Sequence, residues 1–222
     1  KINANTNSSY LFAYIGYSSV CTKSSSITNI ELLNTNNVTN MDNMFMAFGY
    51  NAATELNLKN NFDTQNVSSM KEMFKQCGYK QIKQIELGSK FKTNAVTNTK
   101  GMFEECGHDN LTSIDISMLN TEKVTDMSYM FLEFGYSKLT SLDISNFDTQ
   151  NVNNMEYMFS GLGYSKMTQL NLGSNFNTAG VTKMGYMFEN CGHDLMQELS
   201  LGRKFYTNNA DDMTKMFYGC GR

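Results

Sequence analysis

The chain has 222 residues and a formal net charge of −3. That length admits one elongated repeat domain or one to two globular ones, and the charge gives no general pull towards nucleic acid or acidic membranes. No apolar run approaches the ~20 residues of a membrane-spanning helix, so no membrane insertion by this segment is expected.

Pro and Trp are absent, while Asn, Thr, Ser, Met and Phe are plentiful. A chain without Pro suits a repeat whose backbone hydrogen bonds pass from copy to copy, because a ladder cannot spare a donor. The chain starts at Lys1 rather than Met, which leads us to expect a processed or trimmed fragment.

Residues 1–26 read as a degenerate repeat or cap, recognisable from Leu11-Phe12 to Gly16-Tyr17. From residue 27 to 222 the self-similarity is plain. A Met-Phe pair ends in Phe45, Phe74, Phe103, Phe131, Phe159, Phe188 and Phe217, at intervals of 29, 29, 28, 28, 29 and 29 residues. About seven copies are therefore expected, and the chain stops at Cys220-Gly221-Arg222 without a divergent cap. We expect the natural protein to continue, or a partner to cover that edge.

Each copy opens with an L-x-L pattern: Ile30/Leu32, Leu56/Leu58, Ile85/Leu87, Ile114/Ile116, Leu142/Ile144, Leu170/Leu172 and Leu199/Leu201. Alternation at a period of two predicts a short strand with the outer residues buried. The one-residue difference in copy length falls just after it, which marks a turn. Next, Val67, Met70, Met73/Phe74 and Cys77 show spacings of three and four, which predict a short amphipathic helix. Thr39, Ser68, Thr97, Thr125, Asn153, Thr182 and Asp211 would cap its start, and Gly49, Gly78, Gly107, Gly135, Gly163, Gly192 and Gly221 its end.

Such units bury their apolar faces only by stacking. Strands stack at ~4.8 Å and helices at ~8–10 Å, so the helix side should fan out and the strand side become concave. The expected fold is an α/β solenoid: a right-handed leucine-rich-repeat superhelix with a parallel β-sheet on the concave face and short helices on the convex face.

The run from Leu142 to Gly161, Leu-Asp-Ile-Ser-Asn-Phe-Asp-Thr-Gln-Asn-Val-Asn-Asn-Met-Glu-Tyr-Met-Phe-Ser-Gly, resembles the BspA-like bacterial surface leucine-rich repeat. The likeness recurs along nearly all of residues 27–222. It implies a cell-surface or secreted location and a role in adhesion or host-molecule binding, with no catalytic residues to carry over. This chain departs from the family pattern in its longer repeats and in a Gly-Tyr or Gly-His-Asp segment after the expected helix.

Candidate chemistry is sparse. Cys77, Cys106, Cys191 and Cys220 share a slot with Phe48, Phe134 and Leu162, which predicts buried free thiols. Disulfides between neighbouring copies are the alternative, opposed by the ~8–10 Å spacing of packed helices. His108 and His193 each sit in Cys-Gly-His-Asp, but three copies apart, so they cannot share one ion. No cofactor, metal or catalytic triad is expected. The column Thr35, Thr64, Thr93, Thr121, Thr149, Thr178, Thr207 reads as turn hydrogen bonding, with an ice-binding array as the weaker alternative. Tyr50, Tyr79, Tyr136 and Tyr164, with His108 and His193 in register, read as core cover or a sticky aromatic strip.

The outward columns of the strand face hold six acids and no Lys or Arg. The candidate ligand-binding residues are Glu31, Glu55, Glu86, Asp115, Asp143, Asn171 and Glu198. The expected partner is a host or neighbouring-cell protein or glycan, with a cationic protein patch preferred over calcium. A structural spacer that binds nothing is the alternative reading, and an enzyme is the weakest. Glu86, Asp115 and Asp143 on successive strands are also expected to repel one another.

Overall fold

The computed structural model describes residues 1–20 and 26–222; Cys21 lies outside them. Among the described residues six short strands pair in parallel: β1 (Ile2–Asn3) with β2 (Leu33–Asn34), β3 (Glu55–Asn57) with β4 (Gln84–Glu86), and β5 (Ser141–Asp143) with β6 (Gln169–Asn171). Each pair joins a copy to the next at the same repeat position, as in Leu56 opposite Ile85 and Leu142 opposite Leu170. The middle residue of each of β3 to β6 is buried and its neighbours face outwards, as the alternation predicts.

The pairing does not run through all copies as one sheet. Ile114–Ile116 and Leu199–Leu201 carry no strand. In the first copy Ile30–Leu32 forms a short 3-10 turn, burying Ile30 and leaving Leu32 47% exposed. The unbroken ladder lies elsewhere, in parallel bridges linking Asn7, Asn40, Ser69, Asn98, Asp126, Asn154, Lys183 and Asp212 in turn. It begins in the degenerate segment, so residues 1–20 stack as a further copy.

The expected helices do not form. Between Met41 and Phe48 the amides alternate in their acceptors. Asn43, Phe45 and Ala47 donate to Lys71, Met73 and Lys75 of the next copy at 2.7–2.8 Å. Met44, Met46 and Phe48 donate three residues back, to Met41, Asn43 and Phe45, at 3.0–3.2 Å. Each copy repeats this ribbon of overlapping turns. Its left-handed residues stand two before, two after and four after the Met-Phe phenylalanine, as in Glu72, Gln76 and Gly78 around Phe74. Left-handed residues at that density exclude a right-handed helix.

A neighbouring copy supplies backbone partners that a helix would have to find within itself. The residues expected as helix caps serve the ladder instead: Ser68, Thr97 and Thr125 each donate a side-chain hydroxyl to the matching carbonyl one copy earlier, at 3.1–3.3 Å. With no α-helix among the described residues, the ~8–10 Å spacing that predicted a fanned convex side no longer operates.

The core is a stack of rings. Phe12, Phe45, Phe74, Phe103, Phe131, Phe159, Phe188 and Phe217 lie face to face with centroids 5.2–6.0 Å apart. A second set (Phe62, Phe91, Phe147, Phe176 and Phe205) packs obliquely against them. Methionines such as Met70, Met73, Met127 and Met130 fill the rest, all fully buried.

Two glycines give a test. Gly163 has φ +53°, and a Cβ there would fall 2.5 Å from the Cβ of Met167. Gly163→Ala should cost at least about 1–3 kcal/mol through strain and overpacking. Gly180 is not left-handed, and a Cβ would meet nothing closer than the Val152 carbonyl at 3.5 Å. Gly180→Ala should leave stability unchanged or raise it by about 0.4–1 kcal/mol, by restricting the unfolded chain. Urea denaturation of the two variants checks the contrast.

Candidate functional site

The strand face carries the predicted residues. Glu55 and Glu86 lie on β3 and β4, Asp143 and Asn171 on β5 and β6, and all four side chains face outwards. Asp115, aligned with Glu86, and Glu198, aligned with Glu55, are exposed and lie outside any strand. Glu31 sits apart, in the 3-10 turn, where it borders a recess with Lys1 and Lys90. A shallow recess of about 450 Å³ is lined by Thr168, Gln169, Leu170, Asn171, Glu198 and Ser200. It brings two of the predicted residues to one place.

Three acids of this face, Glu86, Asp115 and Asp143, are already engaged. Asp115 Oδ1 accepts the Ser117 amide at 3.0 Å, and Asp143 Oδ1 accepts the Ser145 amide at 2.8 Å. Asn57 and Asn171 do the same for Lys59 and Gly173, so the column caps the turn after each strand. Hydrogen bonds from Ser117 and Ser145 hold the carboxyls of Asp115 and Asp143 below the usual range. Glu86 accepts from the side-chain amides of Asn57 and Gln84.

The threonine column is buried from Thr35 to Thr178. Each hydroxyl bridges to one residue of the next copy, donating to its carbonyl and accepting from its amide. For Thr149 that residue is Asn177, at 2.8 and 2.7 Å. The column does satisfy backbone groups, but between copies rather than within a turn. Buried hydroxyls present no array to ice.

The Tyr and His column forms a continuous stack. Ring centroids from Tyr17 through Tyr50, Tyr79, His108, Tyr136 and Tyr164 to His193 are 4.3–5.1 Å apart. Tyr17 packs at a tilt of 58° on Tyr50, and the rings from Tyr79 to Tyr164 are each covered on both faces by stacked neighbours, so that part of the strip offers edges and hydroxyls rather than open ring faces. Burial pushes the Tyr79 hydroxyl up to about 12, helped by Glu105. Burial alone would raise Asp109, but hydrogen bonds from His108 and Lys80 outweigh it and lower its carboxyl.

The two Cys-Gly-His-Asp segments do not converge on a metal. Cys106 and Cys191 are in the core, while His108 and His193 lie in the surface stack and contact Asp109 and Asp194 at 2.6 and 2.8 Å. No group of three or more His, Cys, Asp or Glu able to hold a metal occurs among the described residues. Nor, among them, is any helix long and apolar enough to cross a membrane.

A family model described as "Mycoplasma protein of unknown function, DUF285" matches residues 16–131 and again 107–222. The chain belongs to this family. No curated protein and no solved structure matches it. The two DUF285 matches together span the repeats, including the segment around Tyr17.

Two features of this DUF285 chain went unread in the sequence. Tyr129, Tyr157 and Tyr186 form a second stack, with centroids 5.1 and 4.5 Å apart, Lys100 over one end and Lys215 over the other. All three are left-handed, and their common place two before the Met-Phe phenylalanine was the available signal. The other is Lys75 bonded to Glu104 of the next copy at 2.8 Å. Burial still leaves the Glu104 carboxyl raised despite that partner.

Proposed function

We propose that this chain is a non-catalytic binding module, at the cell surface or secreted, whose strand face takes up a cationic patch of a partner protein. The reading rests first on that face: its outward columns supply acids and amides with no Lys or Arg, held on hydrogen-bonded backbone. The recess at Asn171 and Glu198 gives a side chain somewhere to enter. The resemblance to BspA-like repeats supports the location and the adhesive role. Within this reading the copies build a right-handed solenoid of leucine-rich-repeat type. Copy-to-copy parallel pairing supports the stack, with turn ribbons in place of the helices.

The test replaces Glu86, Asp115 and Asp143 together by Asn. Asn57 and Asn171 already cap the same turn, so the substitution keeps the caps at 115 and 143 and removes three charges. Wild type and variant are compared on arrays of Lys/Arg-rich peptides and of glycans at physiological salt. The variant should lose at least about tenfold in binding to the cationic peptides, on the order of 1.4 kcal/mol, with its melting temperature unchanged. Equal binding by both proteins would sink the proposal.

A structural spacer is the second reading, and one observation favours it. The carboxylates of Asp115 and Asp143 are accounted for by the turns they cap. Silence of the wild type on every array would select the spacer.

A further inference from the structure

We propose that Cys77 with Cys106, and Cys191 with Cys220, are disulfide sites that bridge adjacent copies. The slot three residues after the Met-Phe phenylalanine reads Phe48, Cys77, Cys106, Phe134, Leu162, Cys191, Cys220. Cysteine enters it twice, each time in two successive copies and never singly.

Register brings the members of each pair together. The amide of Gly107 donates to the Cys77 carbonyl at 3.0 Å, and that of Gly221 to the Cys191 carbonyl at 3.3 Å. Each pair thus sits on hydrogen-bonded neighbouring chains, whose spacing is about 4.8 Å. That falls within the ~4.4–6.8 Å that a disulfide requires between α-carbons. The helix packing that would have held these cysteines farther apart does not exist here. Both pairs are free thiols in this structure.

The step is thiol–disulfide exchange with a small-molecule disulfide or a disulfide oxidoreductase. One cysteine thiolate attacks the oxidant's S–S bond, forming a mixed disulfide and expelling one thiolate. The second cysteine, deprotonated, then attacks the protein sulfur of the mixed disulfide and expels the other. Two electrons and two protons pass to the oxidant, which leaves as two thiols. Cys220, half-buried and with its thiol lowered by the hydrogen bond from Cys191, is the group from which exchange starts in the second pair. Cys77 and Cys106 are fully buried, so their bridge forms during folding.

The reduced, denatured chain is refolded in a buffer of reduced and oxidised glutathione. It is then alkylated in denaturant and digested with trypsin without reduction. Lys80 to Lys100 separate the first pair and Arg203, Lys204 and Lys215 the second, so each bridge joins two peptides. Four of the five cysteines should resist alkylation, linked 77 to 106 and 191 to 220. Bridges in other combinations, or all five thiols open to alkylation, would overturn the proposal. A Cys77→Leu, Cys106→Leu variant, using the residue that Leu162 places in the same slot, should keep the 191–220 bridge alone. If it does not fold, peptide mapping of the wild type still decides.

Discussion

Replacing Thr149 by Val should destabilise the protein by about 2–4 kcal/mol, more than a swap of similar shape ordinarily costs. The side chain is fully buried, and its hydroxyl is paired both ways with the backbone of Asn177. Val fills the same space but can neither donate nor accept. It leaves the N–H and C=O of half-buried Asn177 without this partner, each at the lower part of the about 1–3 kcal/mol that a fully buried group would cost. Thr149→Ser keeps the hydroxyl and loses only a methyl, so it should cost about 1 kcal/mol. The chain lacks Trp, so urea unfolding is followed by Tyr fluorescence and far-ultraviolet circular dichroism. Equal losses for Val and Ser would mean that the column acts by packing alone.

The Thr column shows how far the sequence could be read. Its repetition was visible, and so was its role in satisfying backbone groups. Its direction was not, because the partner of Thr149 lies 28 residues away in sequence. The phenylalanine column, the strands around Leu56, Ile85, Leu142 and Leu170 and the apolar cysteine slot were legible for the same reason: burial leaves a pattern in residue type. Hydrogen-bond partners leave none.

The helix expectation failed at an identifiable point. Val67, Met70, Met73, Phe74 and Cys77 are all buried, as their spacing requires. An amphipathic helix and a ribbon of overlapping turns both bury such a set. What separates them is the acceptor of the Phe74 amide, which is Met102 of the next copy rather than a residue one helical turn back. Glu72 and Gln76 adopt left-handed backbone, and neither residue type announces it. Of the candidate site, exposure was legible for Glu55, Glu86, Asp115, Asp143, Asn171 and Glu198. The use of Asp115 and Asp143 as turn caps was not, although Asn in the same column at 57 and 171 is the residue such a turn selects.

Replacing Phe131 by Ala should be the most damaging single change, at about 3–5 kcal/mol. The ring is fully buried and stacks on Phe103 at 5.7 Å and Phe159 at 6.0 Å, with Phe134 and Phe147 against its edges. Its backbone is tied to the next copy through the amide bond to Met158 at 3.0 Å, so the copies cannot slide together to fill the hole. The cavity term therefore adds to the lost transfer free energy instead of relaxing away. Phe131→Leu restores most of the volume but not the two face contacts, each worth about 0.5–1.5 kcal/mol beyond burial, so it should cost about 1–3 kcal/mol. Phe217 provides the comparison. It stacks on Phe188 at 5.4 Å but is 41% exposed, so Phe217→Ala should cost no more than about 1–2 kcal/mol. Because each copy touches only its neighbours, the two losses also differ in kind. Phe131→Ala removes the coupling between the copies on either side, and should broaden or split the urea transition, whereas Phe217→Ala should shift it and keep its slope. A single sharp transition for Phe131→Ala, displaced no further than that of Phe217→Ala, would show that the ring stack does not carry the cooperativity of the fold.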